Sequence, residues 1–83
     1  MEDQLRGILG EVGGLAAPVA TIASDQDLFA AGLTSFATVT VMLGIEDCFD
    51  IEIPDQMLNR ATFRTIDTLK AVIVKLQADR FAA

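Results

Sequence analysis

The chain has 83 residues, a net charge of −6 and no histidine. A chain of this length makes one domain with a modest core. The lack of histidine excludes a Ser-His-Asp triad and a histidine metal site. The acidic net charge disfavours nucleic acid as a partner. Cys48 has no second cysteine for a disulfide, no apolar run could span a bilayer and the acidic start is unlike a signal peptide, so we expect a cytoplasmic protein without membrane contact.

The first predicted element is a helix over about residues 3–16. Its apolar residues recur at three- and four-residue steps, as on one face of a helix: Leu5, Ile8, Leu9, Val12 and Leu15. Four glycines in the same stretch weaken the helix, at up to about 1 kcal/mol each in a helix interior, so packing must supply the stability. Gly13, Gly14 and Pro18 mark its end.

A long connection, residues 17–34, follows this helix. Irregular segments of more than about 12–15 residues are uncommon in compact domains and are often functional. Ile22, Leu28 and Phe29 are the apolar residues that could anchor this segment to the core. The connection is therefore a candidate functional loop.

The next segment, residues 35–49, is ambiguous between a helix and a strand. Thr38 to Val41 alternates polar and apolar β-branched residues, which favours a strand. Against this, the segment is long for a strand, and one set of apolar residues is spaced as on a helix face: Val39, Met42, Ile45 and Phe49. If the segment is a helix, Ser35 stands at its start, where serine is a favoured N-cap.

Two further helices are predicted toward the C-terminus. Pro54 biases the residue before it away from helical angles and suits the first position of a short helix over about residues 55–60. Thr65 is a suitable cap for a last helix, residues 65–80, whose buried face would be formed by Ile66, Leu69, Val72, Ile73 and Leu76. With a helix at 35–49, the fold is an all-α bundle of three main helices and one short helix in a single domain, 1–83.

The acidic residues are concentrated in the middle of the chain. Between residues 35 and 59 there are five acids and no Lys or Arg: Glu46, Asp47, Asp50, Glu52 and Asp55. An acidic face of this kind would speed encounter with a basic partner. A solvated, solubilising surface is the simpler interpretation, and the charges alone do not decide between the two.

Three motifs follow one another along the chain. They are Leu28-Phe29-x-x-Gly32-Leu33-x-Ser35-Phe36, Glu46-Asp47-x-Phe49-Asp50-Ile51-x-Ile53-Pro54 and Thr62-Phe63-Arg64-Thr65-Ile66. In this order and spacing, on a chain of this length and acidity, they resemble the acyl and peptidyl carrier proteins. The resemblance extends from the first predicted helix to about Leu76. It favours the helix over the strand at residues 35–49, within an acyl-carrier-type bundle.

The resemblance implies a carrier that is modified on Ser35 and is not itself an enzyme. In that family a phosphopantetheinyl transferase uses coenzyme A and Mg²⁺ to attach a covalent 4'-phosphopantetheine arm to the serine, and the thiol of the arm carries an acyl or aminoacyl group as a thioester. A ligase or acyltransferase loads the arm, and a downstream biosynthetic enzyme receives the cargo. The start of a helix suits the phosphate of such an arm. We expect a monomer that holds no metal of its own.

Two departures from the family pattern lie close to Ser35. Thr34 stands where the family most often has Asp, or His in many peptidyl carriers, which leaves open which transferase acts. Ala37 and Thr40 stand where fatty-acid carriers usually have acids. The loop before Ser35 also looks more like that of peptidyl or aminoacyl carriers. Together these features favour a specialised carrier over a housekeeping fatty acid carrier.

Partner enzymes are expected to meet the end of the loop and the outward face of the helix that follows. The predicted contacts are Leu33, Thr34, Phe36, Thr40, Leu43 and Asp47. Because exposed apolar groups can mark a partner-binding patch, Phe36 and Leu43 are the most telling of these. Either of them could instead pack inward.

Two other classes of function remain to be weighed. In the first, the chain is a non-catalytic acidic helical module for protein interaction, and Ser35 is only a helix cap. In the second, it is a small enzyme, although it has no histidine, no metal-ligand cluster and no glycine-rich phosphate loop. Failure of Ser35 to accept phosphopantetheine would favour the first class, and turnover that is lost in Ser35→Ala would favour the second.

Overall fold

Three α-helices form the described part of the computed structural model, which comprises residues 1–82, with side chains as far as residue 79. They are α1 (Glu2–Val12), α2 (Ser35–Phe49) and α3 (Ile66–Ala82). Two short 3₁₀ helices, Val19–Thr21 and Asp55–Met57, lie in the connections, and the described residues contain no strand. The prediction of an all-α fold is confirmed, and the strand alternative for residues 35–49 is wrong.

The core is formed by aliphatic side chains from all three helices and from the connections between them. Its buried members are Leu5, Leu9, Ile22, Leu28, Ala31, Leu33, Val41, Ile45, Ile53, Phe63, Ile66, Leu69 and Ile73. Burial of a large aliphatic side chain is worth about 1.5–3 kcal/mol, which offsets the weak helix propensity of the glycine-rich α1. The long connection therefore contributes to the core alongside the helices, through Ile22, Leu28, Ala31 and Leu33.

The first helix is shorter than the predicted range of 3–16. It ends at Val12, where the backbone N–H of Gly13 donates to the carbonyl of Leu9 at 2.9 Å. Gly14 follows with φ +65°, a left-handed conformation that stops a helix and that glycine adopts without strain. Leu15 still packs against the core from outside the helix, so its place in the apolar repeat was correct although its secondary structure was not.

The long connection is held by buried apolar residues and by the guanidinium group of Arg6. Ile22 and Leu28 are buried, as predicted, and Phe29 is half-buried. The Nη1 atom of Arg6 in α1 donates to the carbonyls of Val19 and Ile22 at 2.7 and 2.8 Å. These two charge-assisted hydrogen bonds fix the middle of the connection against α1.

The two C-terminal elements differ from their predicted bounds in opposite ways. The short helix predicted over 55–60 is only a single 3₁₀ turn, because the Oδ1 atom of Asn59 accepts the backbone N–H of Thr62 at 3.0 Å and turns the chain out of the helical path. The last helix, predicted over 65–80, runs from Ile66 to Ala82. Its cap is Thr65, as expected, since the Oγ1 atom of Thr65 accepts the N–H of Thr68 at 3.0 Å.

Candidate functional site

Ser35 lies at the surface directly after a tight turn that ends the long connection. Leu28 and Leu33 anchor the two sides of this turn in the core, and the N–H of Leu33 donates to the carbonyl of Leu28 at 2.9 Å. Gly32 has φ +113°, and the neighbouring N–H of Ala16 donates to the carbonyl of Ala31 at 2.9 Å. The turn therefore packs tightly against the segment after α1, and Ser35 emerges from it exposed.

The N-cap of α2 is Thr34, not Ser35. The backbone of Thr34 is extended, with φ −99° and ψ 159°, and its Oγ1 atom accepts the N–H of Ala37 at 3.0 Å. Ser35 is already the first helical residue. The interpretation of Ser35 as only a helix cap is therefore wrong, because an N-cap needs the non-helical backbone angles that Thr34 has. Threonine and aspartate are both good caps, so Thr34 retains the capping that the family's usual Asp could provide.

The hydroxyl group of Ser35 has no structural task that the described residues reveal. It makes no hydrogen bond within the described part of the chain, and its side chain is exposed. The unpaired backbone N–H groups of the first turn and the helix dipole make this end of α2 favourable for a negative group. The sequence contains only one other serine, Ser24, whose hydroxyl lies 3.4 Å from an Asp67 carboxylate oxygen.

An exposed apolar strip follows Ser35 along α2. Phe36, Val39 and Leu43 are 87%, 54% and 56% exposed. Of the four apolar residues at helical spacing, Ile45 is buried, Met42 and Phe49 pack partly buried against the core, and Val39 is exposed; Val41, which is outside that set, is buried as well. The apolar repeat was ambiguous because α2 carries apolar residues on more than one side. The strip formed by Phe36, Val39 and Leu43 is therefore available to solvent.

The predicted partner contacts divide into five exposed residues and one buried residue. Thr34, Phe36, Thr40, Leu43 and Asp47 are exposed, and all but Thr34 lie on α2. Leu33 is only 3% exposed and belongs to the core, so its side chain is not available to a partner. An apolar residue between a turn and a helix can either pack into the core or contact a partner. The sequence position of Leu33 does not distinguish these two roles.

A groove of about 340 Å³ opens beside Ser35. Its walls come from the long connection, α2 and the segment before α3: Phe29, Ser35, Thr38, Val39, Met42, Leu58, Asn59, Arg60 and Phe63. The guanidinium carbon of Arg60 lies 4.0 Å from the centre of the Phe29 ring, a stacked cation–π contact. Sequence reasoning missed this groove because Phe29 and Arg60 are far apart in the chain and no local pattern links them.

Two acids, one within the second motif and one directly before the first, accept backbone hydrogen bonds. The Oε2 atom of Glu46 accepts the N–H of Ile53 at 2.9 Å, and Oδ1 of Asp27 accepts the N–H groups of Phe29 and Ala30 at 2.9 and 3.3 Å. These acids shape the backbone at the two ends of α2. The described part of the chain holds no group of three or more His, Cys, Asp or Glu placed to bind a metal ion. None of the described helices has the length and apolarity to cross a membrane.

Comparison with known proteins identifies the family. A family model described as "Phosphopantetheine attachment site" matches residues 3–73. An aminoacyl carrier protein of Agrobacterium fabrum is 52% identical, covering 88% of this chain and 93% of that protein. Aminoacyl carrier protein 1 of Bradyrhizobium diazoefficiens is 37% identical, covering 84% of this chain and 73% of that protein.

Solved structures agree with the sequence relatives. One is the crystal structure of an engineered Bradyrhizobium japonicum glycine:[carrier protein] ligase complexed with a carrier protein from Agrobacterium tumefaciens and AMP; its matched chain is 51% identical, with a TM-score of 0.85 over 88% of this chain and 97% of that chain. Another is the solution structure of an Agrobacterium tumefaciens protein. Its sequence is 47% identical to this chain, and the two structures align with a TM-score of 0.79 over 100% of both chains. The chain therefore belongs to the carrier proteins that bear a covalently attached 4'-phosphopantetheine and deliver acyl or aminoacyl groups as thioesters.

Proposed function

We propose that Ser35 is the residue that carries the phosphopantetheine arm. The observation that supports this most directly is the division of labour between two neighbouring hydroxyls: Thr34 caps α2, and the hydroxyl of Ser35 is exposed and engaged with no described residue. The family attaches its arm to serine, and Ser24, the other serine, is half-buried beside Asp67. The phosphate of an arm on Ser35 would lie at the favourable N-terminal end of α2.

Intact mass spectrometry tests the attachment site. The protein is incubated with coenzyme A, Mg²⁺ and a broad-specificity phosphopantetheinyl transferase, alongside Ser35→Ala and the matched control Ser24→Ala. We expect a gain of one phosphopantetheine in the wild type and in Ser24→Ala, and no gain in Ser35→Ala. Modification of Ser35→Ala, or its absence from Ser24→Ala alone, would refute the assignment to Ser35.

The cargo that we propose is an amino acid, loaded by an ATP-dependent ligase. Two relatives are named aminoacyl carrier proteins, and a carrier 51% identical to this chain occurs in complex with a glycine:[carrier protein] ligase. The replacement of the usual fatty-carrier acids by Ala37 and Thr40 supports the same choice. A fatty-acyl cargo is the alternative, and it would require the bundle to open an apolar cleft for the chain.

Loading of the modified protein distinguishes the two cargoes. The phosphopantetheinylated protein is incubated with ATP and a glycine:[carrier protein] ligase, and in parallel with a fatty acyl ligase and long-chain fatty acid. We expect a hydroxylamine-sensitive mass gain equal to one glycyl group in the first reaction, and much slower loading in the second. Preferential loading with the fatty acid would contradict the proposal.

We propose that the ligase, the phosphopantetheinyl transferase and a downstream enzyme all bind the exposed surface formed by Thr34 and the outward face of α2. The expected contacts are Thr34, Phe36, Thr40, Leu43 and Asp47. Leu43→Ala should weaken loading by the ligase, whereas Val74→Ala, which truncates an apolar side chain of α3 that is also 53% exposed, should not. Equal effects of the two substitutions would place the ligase contact elsewhere.

The remaining parts of the proposal concern the protein on its own. We propose that it has no catalytic activity and acts as a monomer in the cytoplasm. Support comes from the absence of histidine from the sequence and from the single cysteine, Cys48, which is exposed and free. Turnover of a thioester by the purified modified protein, or a dimer in sedimentation analysis, would contradict the corresponding part.

A further inference from the structure

The groove beside Ser35 contains one cation that no described carboxylate neutralises. Arg60 is the only charged side chain among the described residues that line the groove, and the other walls are mostly apolar. Its only described side-chain contact is the stacking on Phe29, with 4.0 Å between the guanidinium carbon and the ring centre. In a chain with twice as many acids as bases, a guanidinium without an acidic neighbour is unexpected.

The stacking orients the guanidinium group of Arg60 and leaves its hydrogen-bond donors free. A guanidinium group has five N–H donors in a plane, and contact of its face with an aromatic ring does not occupy them. None of these donors meets a described oxygen atom. Since less side-chain freedom is lost when a donor is already oriented, Arg60 is prepared to bind an anion that enters the groove.

The geometry places Ser35 in the wall of the same groove. We propose that Arg60 is a positioning residue for the phosphodiester of the arm on Ser35, and that it holds the unloaded arm along the groove instead of in solvent. This inference rests on the proposed attachment to Ser35. Arg–phosphate pairs are among the strong charge-assisted hydrogen bonds, and the start of α2 offers backbone donors to the same phosphate.

The walls of the groove match the remainder of the arm. The arm continues from the phosphate into a pantoyl unit with two geminal methyl groups and then into amide groups. Val39, Met42 and Leu58 offer apolar contacts to the methyl groups, and the side chains of Thr38 and Asn59 lie in the same lining. The groove volume of about 340 Å³ is at the small end of the range of about 300–1,000 Å³ for ligand pockets. The groove is suited to the arm itself and not to a long acyl chain in addition.

The position of the arm can be measured by NMR spectroscopy on the phosphopantetheinylated protein. Four proteins are compared: the wild type, Arg60→Gln, Arg60→Lys and the matched control Arg64→Gln. Arg64 is also an exposed arginine, but its Nε atom lies 3.5 Å from an Asp27 carboxylate oxygen and it does not line the groove. The readouts are the ³¹P shift of the phosphodiester and the nuclear Overhauser contacts between the arm's geminal methyl groups and Val39 or Met42.

In the wild type and in Arg64→Gln we expect these methyl contacts and the same ³¹P shift. In Arg60→Gln we expect loss of the contacts and a ³¹P shift that moves toward that of free phosphopantetheine, while the spectrum of the unmodified protein changes only close to residue 60 and Phe29. Arg60→Lys, which keeps the charge but not the planar fork, should give an intermediate ³¹P shift. A purely structural role of Arg60 would not produce this order.

The inference is overturned if the ³¹P shift and the methyl contacts are the same in the wild type and in the Arg60 variants, whether the arm is mobile or bound in all of them. Failure of the underlying attachment is recognised separately, because the intact mass is recorded for every sample before the spectra. A mass gain in the wild type without methyl contacts would refute only the position of the arm in the groove and the role of Arg60. No mass gain on Ser35 would refute the attachment and, with it, the present inference.

Discussion

Replacement of Gly32 by alanine should destabilise the protein more than the same change at Gly14, the other glycine with a positive φ. Gly32 has φ +113°, and a Cβ atom added there would lie 2.8 Å from the backbone nitrogen of Ala16. A residue forced into a sparsely populated backbone region costs about 1–3 kcal/mol. Moving Ala16 away would also strain its hydrogen bond to the carbonyl of Ala31, worth about 1 kcal/mol. We expect a total loss of about 2–4 kcal/mol in the free energy of unfolding.

Two glycine-to-alanine controls separate the contributions. Gly14 has φ +65° and no heavy atom within 4 Å of an added Cβ, so Gly14→Ala should cost about 1–2 kcal/mol from backbone strain alone. Gly7 lies exposed inside α1, also with open space around an added Cβ, and Gly7→Ala should stabilise the helix by about 1 kcal/mol. Urea denaturation, followed by circular dichroism, measures the three changes on one scale.

The expected order of stability is Gly7→Ala, wild type, Gly14→Ala and then Gly32→Ala. If the Gly32→Ala single variant does not fold, the double variant Gly7→Ala/Gly32→Ala is compared with Gly7→Ala instead. A loss at Gly32 no larger than that at Gly14 would refute the reasoning. It would mean that the close approach to Ala16 is relieved without strain, and that the turn before Ser35 is not held tightly.

Three further predictions concern the cap, one ion pair and the long connection. Thr34→Ala should lower the free energy of unfolding by about 1 kcal/mol, whereas Thr40→Ala on the exposed face of α2 should not; Thr34→Asp should retain the stability, and urea denaturation compares them. The ammonium group of Lys70, 2.8 Å from Glu2, is the main cause that holds the pKa of that carboxyl below its usual range. The carboxylate therefore stabilises the fold above the ordinary glutamate pKa of about 4.3, and this contribution is lost as the pH falls through the lowered pKa. Glu2→Gln should accordingly be less stable than the wild type at pH 7, and the stabilities of the two proteins should converge in acid. Leu28→Ala should cost about 2–5 kcal/mol in thermal or urea unfolding, since Leu28 is fully buried; a loss below 1 kcal/mol would show that the connection is not part of the core.

The helices were predictable where local pattern and the family resemblance act together. The bounds of α2 agree with the predicted 35–49, but local pattern alone left a strand open there and the resemblance favoured the helix; in the structure Thr34 caps α2 and Asp50, with φ 52°, ends it. The error at α1 has a local cause as well: the apolar repeat continues to Leu15, but two consecutive glycines end the helix before it. Periodicity alone could not weigh those two signals.

The parts that were not predictable depend on contacts between distant residues. Thr34 and Ser35 are both residues that favour a cap, and only their backbone angles show which one forms it. The face of α2 that packs inward depends on where α1 and α3 lie, so the helical spacing that Val39 shares with Ile45 did not show that Val39 is exposed and Ile45 buried. The hydrogen bonds of Arg6 to two loop carbonyls join residues that no sequence pattern connects.

The pair of hydroxyls at the start of α2 has a consequence for the working cycle of the protein. If a single serine both capped the helix and carried the arm, every transfer of phosphopantetheine would remove the cap, and the fold would change its stability with its chemical state. Here Thr34 keeps the cap whether or not Ser35 is substituted. The unmodified, modified and loaded forms can then share one scaffold, and an enzyme that must distinguish them has to inspect the arm and its cargo.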